Sequence, residues 1–125
     1  MKSITYSDLL YIHEKTIVAH GGSKGIRDAE LIKSALELSL STFGGEELYK
    51  TIEEKISVTS YSLIKNHGFI DGNKRVGIVA LRLLCKINNI NLKYTQNELT
   101  NLGLGVAAGN IDKEQIKAWI LDHKI

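Results

Sequence analysis

Nine consecutive residues, His67-Gly68-Phe69-Ile70-Asp71-Gly72-Asn73-Lys74-Arg75, bring an imidazole, a carboxylate, an amide and two cations together. Histidine ordinarily titrates nearest to neutral pH, so His67 can take a proton from a hydroxyl. Asp71 can hold a Mg²⁺ ion through one carboxylate while phosphate oxygens supply further ligands. Gly72, Asn73 and Lys74 open a strongly apolar helical pattern. A helix start offers unpaired N–H groups and the positive end of the helix dipole. It is therefore an anion site, most commonly for phosphate, and Lys74 and Arg75 add charge beside it. A base, a metal ligand and an anion cradle are the parts phosphoryl transfer needs. Each part also has a plainer use. His67 can be a dipole partner ending the preceding helix, Asp71 an N-cap, and Gly72-Asn73 ordinary turn chemistry. The density of the cluster favours the chemical reading for His67 and Asp71. Phe69 is the apolar member, expected to pack into the core and pin the loop.

Two helices must position this loop. Glu46 to Asn66 reads as amphipathic, with Leu48, Ile52, Ile56, Thr59 and Leu63 on one stripe, widened by Tyr49, Tyr61 and Ile64. Glu46, Glu47, Glu53, Glu54 and Lys55 read as solvated. Val76 to Ile90 is apolar around most of its circumference and reads as the most buried helix. Its exceptions Arg75, Arg82, Lys86 and Asn89 share one narrow stripe, because their spacings nearly close whole helical turns. That stripe can meet a nucleotide tail or an acidic partner segment, or its long side chains can simply reach water. Cys85 reads as a core thiol.

The remaining segments are also helical. Ser7 to His20 has rough helical periodicity through Leu9, Leu10, Ile12, Ile17 and Val18, with Ser7 as its cap and Gly21-Gly22 as its stop. Gly21, Gly22 and Gly25 read as a turn, since no strand precedes them and no Gly-Lys-Ser/Thr follows. Asp28 caps a helix from Ala29 to Ser41, with Leu31, Ile32, Ala35, Leu36 and Leu38 inward. Asn88 to Asn91 is a turn and Leu92 to Tyr94 is short and extended. Thr95 with Glu98, and Asp112 with Gln115, have capping-box spacing, with Tyr94–Leu99 and Ile111–Ile116 as staple pairs. The helix from Gln96 stops at Gly109-Asn110, and the last helix spans Lys113 to His123. His13 and His20 are too far apart for a helical zinc pair, and His123 lies in the tail; all three read as surface residues. Six helices and almost no strand pattern predict an all-α domain.

A chain of 125 residues fits one domain, residues 1–125. Its 43% hydrophobic and 24% charged residues are ordinary for a water-soluble globular protein, and a formal charge of +2 is too mild to argue for direct nucleic-acid binding. No apolar run is long enough for a bilayer, and Met1-Lys2-Ser3-Ile4 begins no signal-peptide core, so no membrane role is expected. One cysteine allows no internal disulfide and fits a reducing, cytoplasmic setting.

The central stretch resembles the Fic/Doc family motif, His-x-Phe-x-Asp/Glu-Gly-Asn-x-Arg, with His67, Phe69, Asp71, Gly72, Asn73 and Arg75 in place. Lys74 stands where the adenylyl-transferring branch has Gly, and Ile78 where that branch has a second Arg. The Asn73-Lys74-Arg75 ending is similar to the Doc (death on curing) toxin subgroup. Gly21-Gly22 through Gly25-Ile26-Arg27-Asp28, Leu31 to Leu36, and the tail around Gly105–Gly109 also look Doc-like. The resemblance implies a compact six-helix bundle with the catalytic loop before its central helix. It implies His67 as the base, Asp71 as the Mg²⁺ ligand, and Gly72, Asn73, Lys74 and Arg75 as the ATP-phosphate cradle. It further implies a turned nucleotide whose γ-phosphate faces His67, a hydroxyl residue of elongation factor Tu as target, and a Phd-like antitoxin as partner. Adenylyl transfer and an inert antitoxin-binding module are the alternatives. The string Thr42 to Glu46 is near an inhibitory motif of some relatives, but it straddles a loop and reads as coincidence.

Overall fold

Thr5, rather than Ser7, starts the first helix. Its hydroxyl accepts the Asp8 N–H at 3.1 Å, and the Asp8 carboxylate accepts the Thr5 N–H at 2.8 Å, a reciprocal capping box. The computed structural model describes all residues from Met1 to Ile125. Six α-helices follow one another: α1 (Tyr6–His20), α2 (Ala29–Glu37), α3 (Ile52–Lys65), α4 (Asn73–Ile87), α5 (Gln96–Ala107) and α6 (Lys113–His123). A turn of 3₁₀ helix, Leu38–Leu40, and a small antiparallel hairpin, β1 (Thr42–Phe43) with β2 (Glu46–Glu47), lie between α2 and α3. The chain is therefore all-α apart from that hairpin.

The hairpin corrects two expected boundaries. Gly44 and Gly45 both have positive φ, 60° and 83°, and two such residues make the tight turn that matches strand twist. The chain doubles back, pairing Thr42 with Glu47 and Phe43 with Glu46. So α3 begins at Ile52, capped by Thr51, and Leu48 is exposed instead of joining its apolar stripe. Likewise α2 ends at Glu37, and Leu38 turns outward. Lys55 is buried, not solvated, at 6% exposure. Its ammonium donates to the carbonyls of Ser39 and Tyr49 and pairs with Glu47 at 3.1 Å, tying the 3₁₀ turn and the hairpin to α3.

The core is built on α3 and α4, which make the broadest contact in the molecule; α4 also packs on α1 and α5, and α3 on α2, α5 and α6, so α3 rather than the expected α4 is the most buried helix. Val76, Ala80, Leu81 and Leu84 are fully buried. Gly77 lets α3 and α4 approach: a Cβ there would collide with Ile64 and meet the Ser60 carbonyl at 3.1 Å, while the Ser60 hydroxyl donates to the Gly77 carbonyl at 3.0 Å. The helix stops at Ile87, because Asn89 turns left-handed at φ 61°, so Ile90 is buried from the following loop. Helices α5 and α6 start on the two capping boxes read from the sequence. No helix is long and apolar enough to cross a membrane.

Candidate active site

Helix α3 ends at Lys65, and His67 takes φ 51°, a left-handed conformation uncommon outside glycine. Arg27 holds this turn. Its Nε donates to the His67 carbonyl at 2.6 Å and its Nη2 to the Asn66 carbonyl at 2.8 Å. The Gly68 carbonyl accepts the N–H groups of Arg27 and Asp28 at 2.8 and 2.9 Å. The imidazole of His67 is left exposed and makes no hydrogen bond of its own.

Phe69 is 1% exposed and anchors the loop in the core, as its apolar ring dictates. The Asn73 amide clasps the Phe69 backbone: Oδ1 accepts its N–H at 3.0 Å and Nδ2 donates to its carbonyl at 2.9 Å. Asn73 is thus buried, with its side chain spent on the loop, and what it offers an anion is its backbone N–H. Next, the Ile70 N–H donates to the Gly25 carbonyl at 3.1 Å. Asp71 is exposed, yet three groups fix it. The Gly72 N–H reaches its Oδ1 at 2.9 Å, the Ser23 N–H its Oδ2 at 3.1 Å, and the His13 Nε2 its carbonyl at 2.8 Å. The bonds from Ser23 and Gly72, with Arg75 nearby, hold the Asp71 carboxyl below the usual carboxylate range. Asp71 is not the N-cap of α4: Gly72 occupies that position and no side chain caps the helix. The first helical bond runs from the Val76 N–H to the Gly72 carbonyl, which leaves the N–H groups of Asn73, Lys74 and Arg75 without an acceptor in the chain.

A cavity of about 360 Å³ gathers His67, Asp71, Gly72, Asn73, Lys74 and Arg75, the whole set expected from the sequence. Lys74 and Arg75 also line a second cavity of about 310 Å³, with His20, Arg82, Gln96 and Thr100. Gly103 of α5 makes room for this: a Cβ there would lie 3.1 Å from the Ile78 side chain and 3.4 Å from Cγ of Lys74. A larger cavity of about 430 Å³ lies beyond Arg82 and contains neither imidazole nor carboxylate, so it lacks a base. No three or more His, Cys, Asp or Glu side chains form a metal cage anywhere in the chain. Arg82 is exposed and donates to the Tyr94 hydroxyl at 2.8 Å, and Lys86 is also exposed. Cys85 is buried, and burial pushes its thiol up to about 12.

Two histidines expected on the surface are elsewhere. His13 is 7% exposed, its ring stacked on Phe69 with centroids 4.0 Å apart. A carbonyl only accepts, so the His13 Nε2 carries the proton it gives Asp71. The signal was its place on the inward face of α1 with Leu9, Ile12, Thr16 and Ile17; Val18, expected inward, is exposed. His123 is half-buried against Trp119, with Nδ1 on the Trp119 carbonyl at 2.7 Å and Nε2 on Glu98 at 2.6 Å. His20 is exposed as expected. The glycine turn at residues 21–25 is a cover for the loop: a Cβ on Gly22 would lie 2.7 Å from Asp71 Oδ2.

Residues 3–85 match the model of the Fic/DOC family, which covers both the loop and the segments that grip it. The chain belongs to the Fic/DOC family. Within it the likeness is to the Doc subgroup. The chain is 29% identical over 103 residues to Toxin Doc of Mycolicibacterium smegmatis, covering 81% of this chain and 79% of that protein. It is 25% identical over 122 residues to Protein kinase doc of Escherichia phage P1, covering 93% of this chain and 90% of that protein.

Proposed function

We propose that this chain is a Doc-like toxin: a protein kinase that moves the γ-phosphoryl group of ATP to a hydroxyl residue of a translation factor, elongation factor Tu by family resemblance, and so halts translation. One observation carries the reading. The cavity that holds His67 and Asp71 is floored by the uncapped start of α4 and flanked by Lys74, whose stem lies against Gly103 beside the uncharged Ile78. The names of the phage and mycobacterial relatives, a protein kinase and a toxin, agree with it.

His67 takes the proton of the target hydroxyl, whose oxygen attacks the γ-phosphorus as the bond to the bridging oxygen of ADP breaks. The free N–H groups of Asn73, Lys74 and Arg75 and the α4 dipole hold the phosphates. Lys74, a compact cation on a long stem, suits the terminal phosphate, and Arg75 can take a phosphate in its fork. Asp71 fits Mg²⁺: it is exposed, held ionised, and stands as a single carboxylate, so phosphates must supply further ligands. Mg²⁺ bound there neutralises charge on the phosphates. A Phd-like antitoxin, in the same cytoplasm, is the expected partner by family resemblance, and the toxin relative's name agrees with it; Thr42–Glu46, the string nearest an inhibitory motif, lies in the hairpin.

Intact mass spectrometry of elongation factor Tu after incubation with the chain, ATP and Mg²⁺ tests the proposal. A gain matching one phosphate is expected. A gain matching AMP would make the chain an adenylyltransferase, since neither Lys74 nor Ile78 would then have turned the nucleotide. No gain on this or other translation proteins would leave the inert antitoxin-binding module.

A further inference from the structure

We propose that His13 and Arg27 are positioning residues for this site: each grips the backbone carbonyl of a residue that does chemistry, and together they set the separation between base and carboxylate. The inference rests on the transfer reading above for its kinetic consequences, while its structural content stands apart. Arg27 lies at the His67 end of the loop and His13 at the Asp71 end. The two come from different elements, the segment after α1 and α1 itself. No hydrogen bond joins His67 directly to Asp71, so their spacing depends on what holds each one.

The details separate positioning from mere stability. Arg27 is exposed, and its side chain bonds only to the Asn66 and His67 carbonyls. Both would otherwise be unpaired carbonyls ending α3. The planar fork answers two carbonyls at once, which a lysine cannot do. It also pins His67 at a positive φ that the residue does not adopt readily. His13 contributes two separable contacts: a ring stacked on Phe69 and an N–H on the Asp71 carbonyl. A phenylalanine could supply the first. Only a donor supplies the second, and an imidazole buried at 7% exposure for packing alone would be a poor choice against phenylalanine.

Four variants test this: His13→Phe keeps the stack, His13→Gln keeps a donor, Arg27→Met keeps the stem, and Arg27→Lys keeps the charge. Supports of a ligating carboxylate typically govern affinity about 10–100-fold, so His13→Phe should raise the Mg²⁺ concentration for half-saturation of ATP binding by that order. His13→Gln should recover most of it. Arg27→Met should lower kcat about 10²-fold with little change in KM, as expected for a misplaced catalytic group, and Arg27→Lys should rescue little. Amide hydrogen exchange gives a readout free of activity. It should quicken at Ile70 and Gly72 in His13→Phe, and at Asp28 in Arg27→Met, while α5 and α6 stay as in the parent. If the parent transfers nothing, the proposed function fails and the exchange pattern still decides this inference. Exchange in both variants equal to the parent, or raised alike through α5 and α6, would overturn it.

Discussion

At the start of α5, Thr95 and Glu98 exchange two hydrogen bonds across three residues, and at the start of α6 Asp112 and Gln115 do the same. The loop before α4 has no such local exchange. Its backbone is held by Arg27 from 40 residues away and by His13 from 58, and the Asp71 carboxylate by the Ser23 N–H from 48. The local bonds are the Asn73–Phe69 clasp and the Gly72 N–H on the Asp71 carboxylate. A capping box needs only its own helix and satisfies N–H groups that would otherwise face water. The loop before α4 does the reverse: its distant tethers take up carbonyls and the Asp71 carboxylate, and the N–H groups of α4 stay free. One construction ends a helix quietly; the other leaves a helix start open to an anion while freezing everything around it.

His67→Ala separates the chemistry from the tethers. The His67 side chain makes no hydrogen bond while its carbonyl remains available to Arg27, so the fold should survive. Transfer should fall about 10²–10⁴-fold, the usual loss for a general base, in a rate assay run beside a thermal melt that stays near the parent's. A variant as active as the parent would remove His67 from the mechanism.

Asn73→Ala attacks the loop's one local clasp. It leaves both the N–H and the carbonyl of buried Phe69 without partners. Each unpaired buried group costs about 1–3 kcal/mol, so urea unfolding should show a loss well above that of a surface cap. If stability is unchanged and only nucleotide binding weakens, Asn73 is a ligand and the clasp is incidental.

Thr95→Ala makes the matching cut in the local construction. Loss of a cap costs about 0.5–2 kcal/mol, and the site should not notice: the variant should unfold at lower urea and keep the parent's kcat. A drop in kcat would show that α5, through Gly103 beside Lys74, transmits its start to the site.

The smallest effect concerns His123, which ties the end of α6 to the capping box of α5. Burial disfavours its charge, but the bonds to Glu98 and the Trp119 carbonyl outweigh this and raise the His123 pKa above 6.5. Both ring nitrogens face acceptors only, so the bonded form is the imidazolium. A raised folded value means stability that is complete below the unfolded pKa and is lost as pH rises through the folded one. Melting temperature should therefore slip as pH rises above 6.5, and this part of the slope should vanish in His123→Gln. An unaltered slope in that variant would assign the titration to another group.

What the sequence disclosed follows the same division. Both capping boxes, the stop at Gly109, the burial of Phe69 and the helices flanking the motif rest on residues a few positions apart, and the structure has them all. That His67, Asp71, Gly72, Asn73, Lys74 and Arg75 share one cavity was legible because they lie within nine residues. The grips of His13, Ser23 and Arg27 were not, since no periodicity relates residues 40 or more positions apart. Lys55 was misread for the same reason: a lysine reads as solvated until the hairpin and the 3₁₀ turn bring it acceptors. The Gly44-Gly45 turn was a local signal, but strands of two residues carry no alternation of their own. The helical phase of Ile52 to Leu63 then extends falsely back through Leu48.

In the proposed function the open start of α4 and His67 together move the terminal phosphate of ATP. The most direct measurement incubates the parent and His67→Ala with elongation factor Tu and Mg²⁺, once with ATP labelled at the γ-phosphate and once with ATP labelled at the α-phosphate. Protein-bound label is expected from the γ position only, and none with His67→Ala. Label from the α position with the parent, or γ label that persists in His67→Ala, would contradict the proposed function.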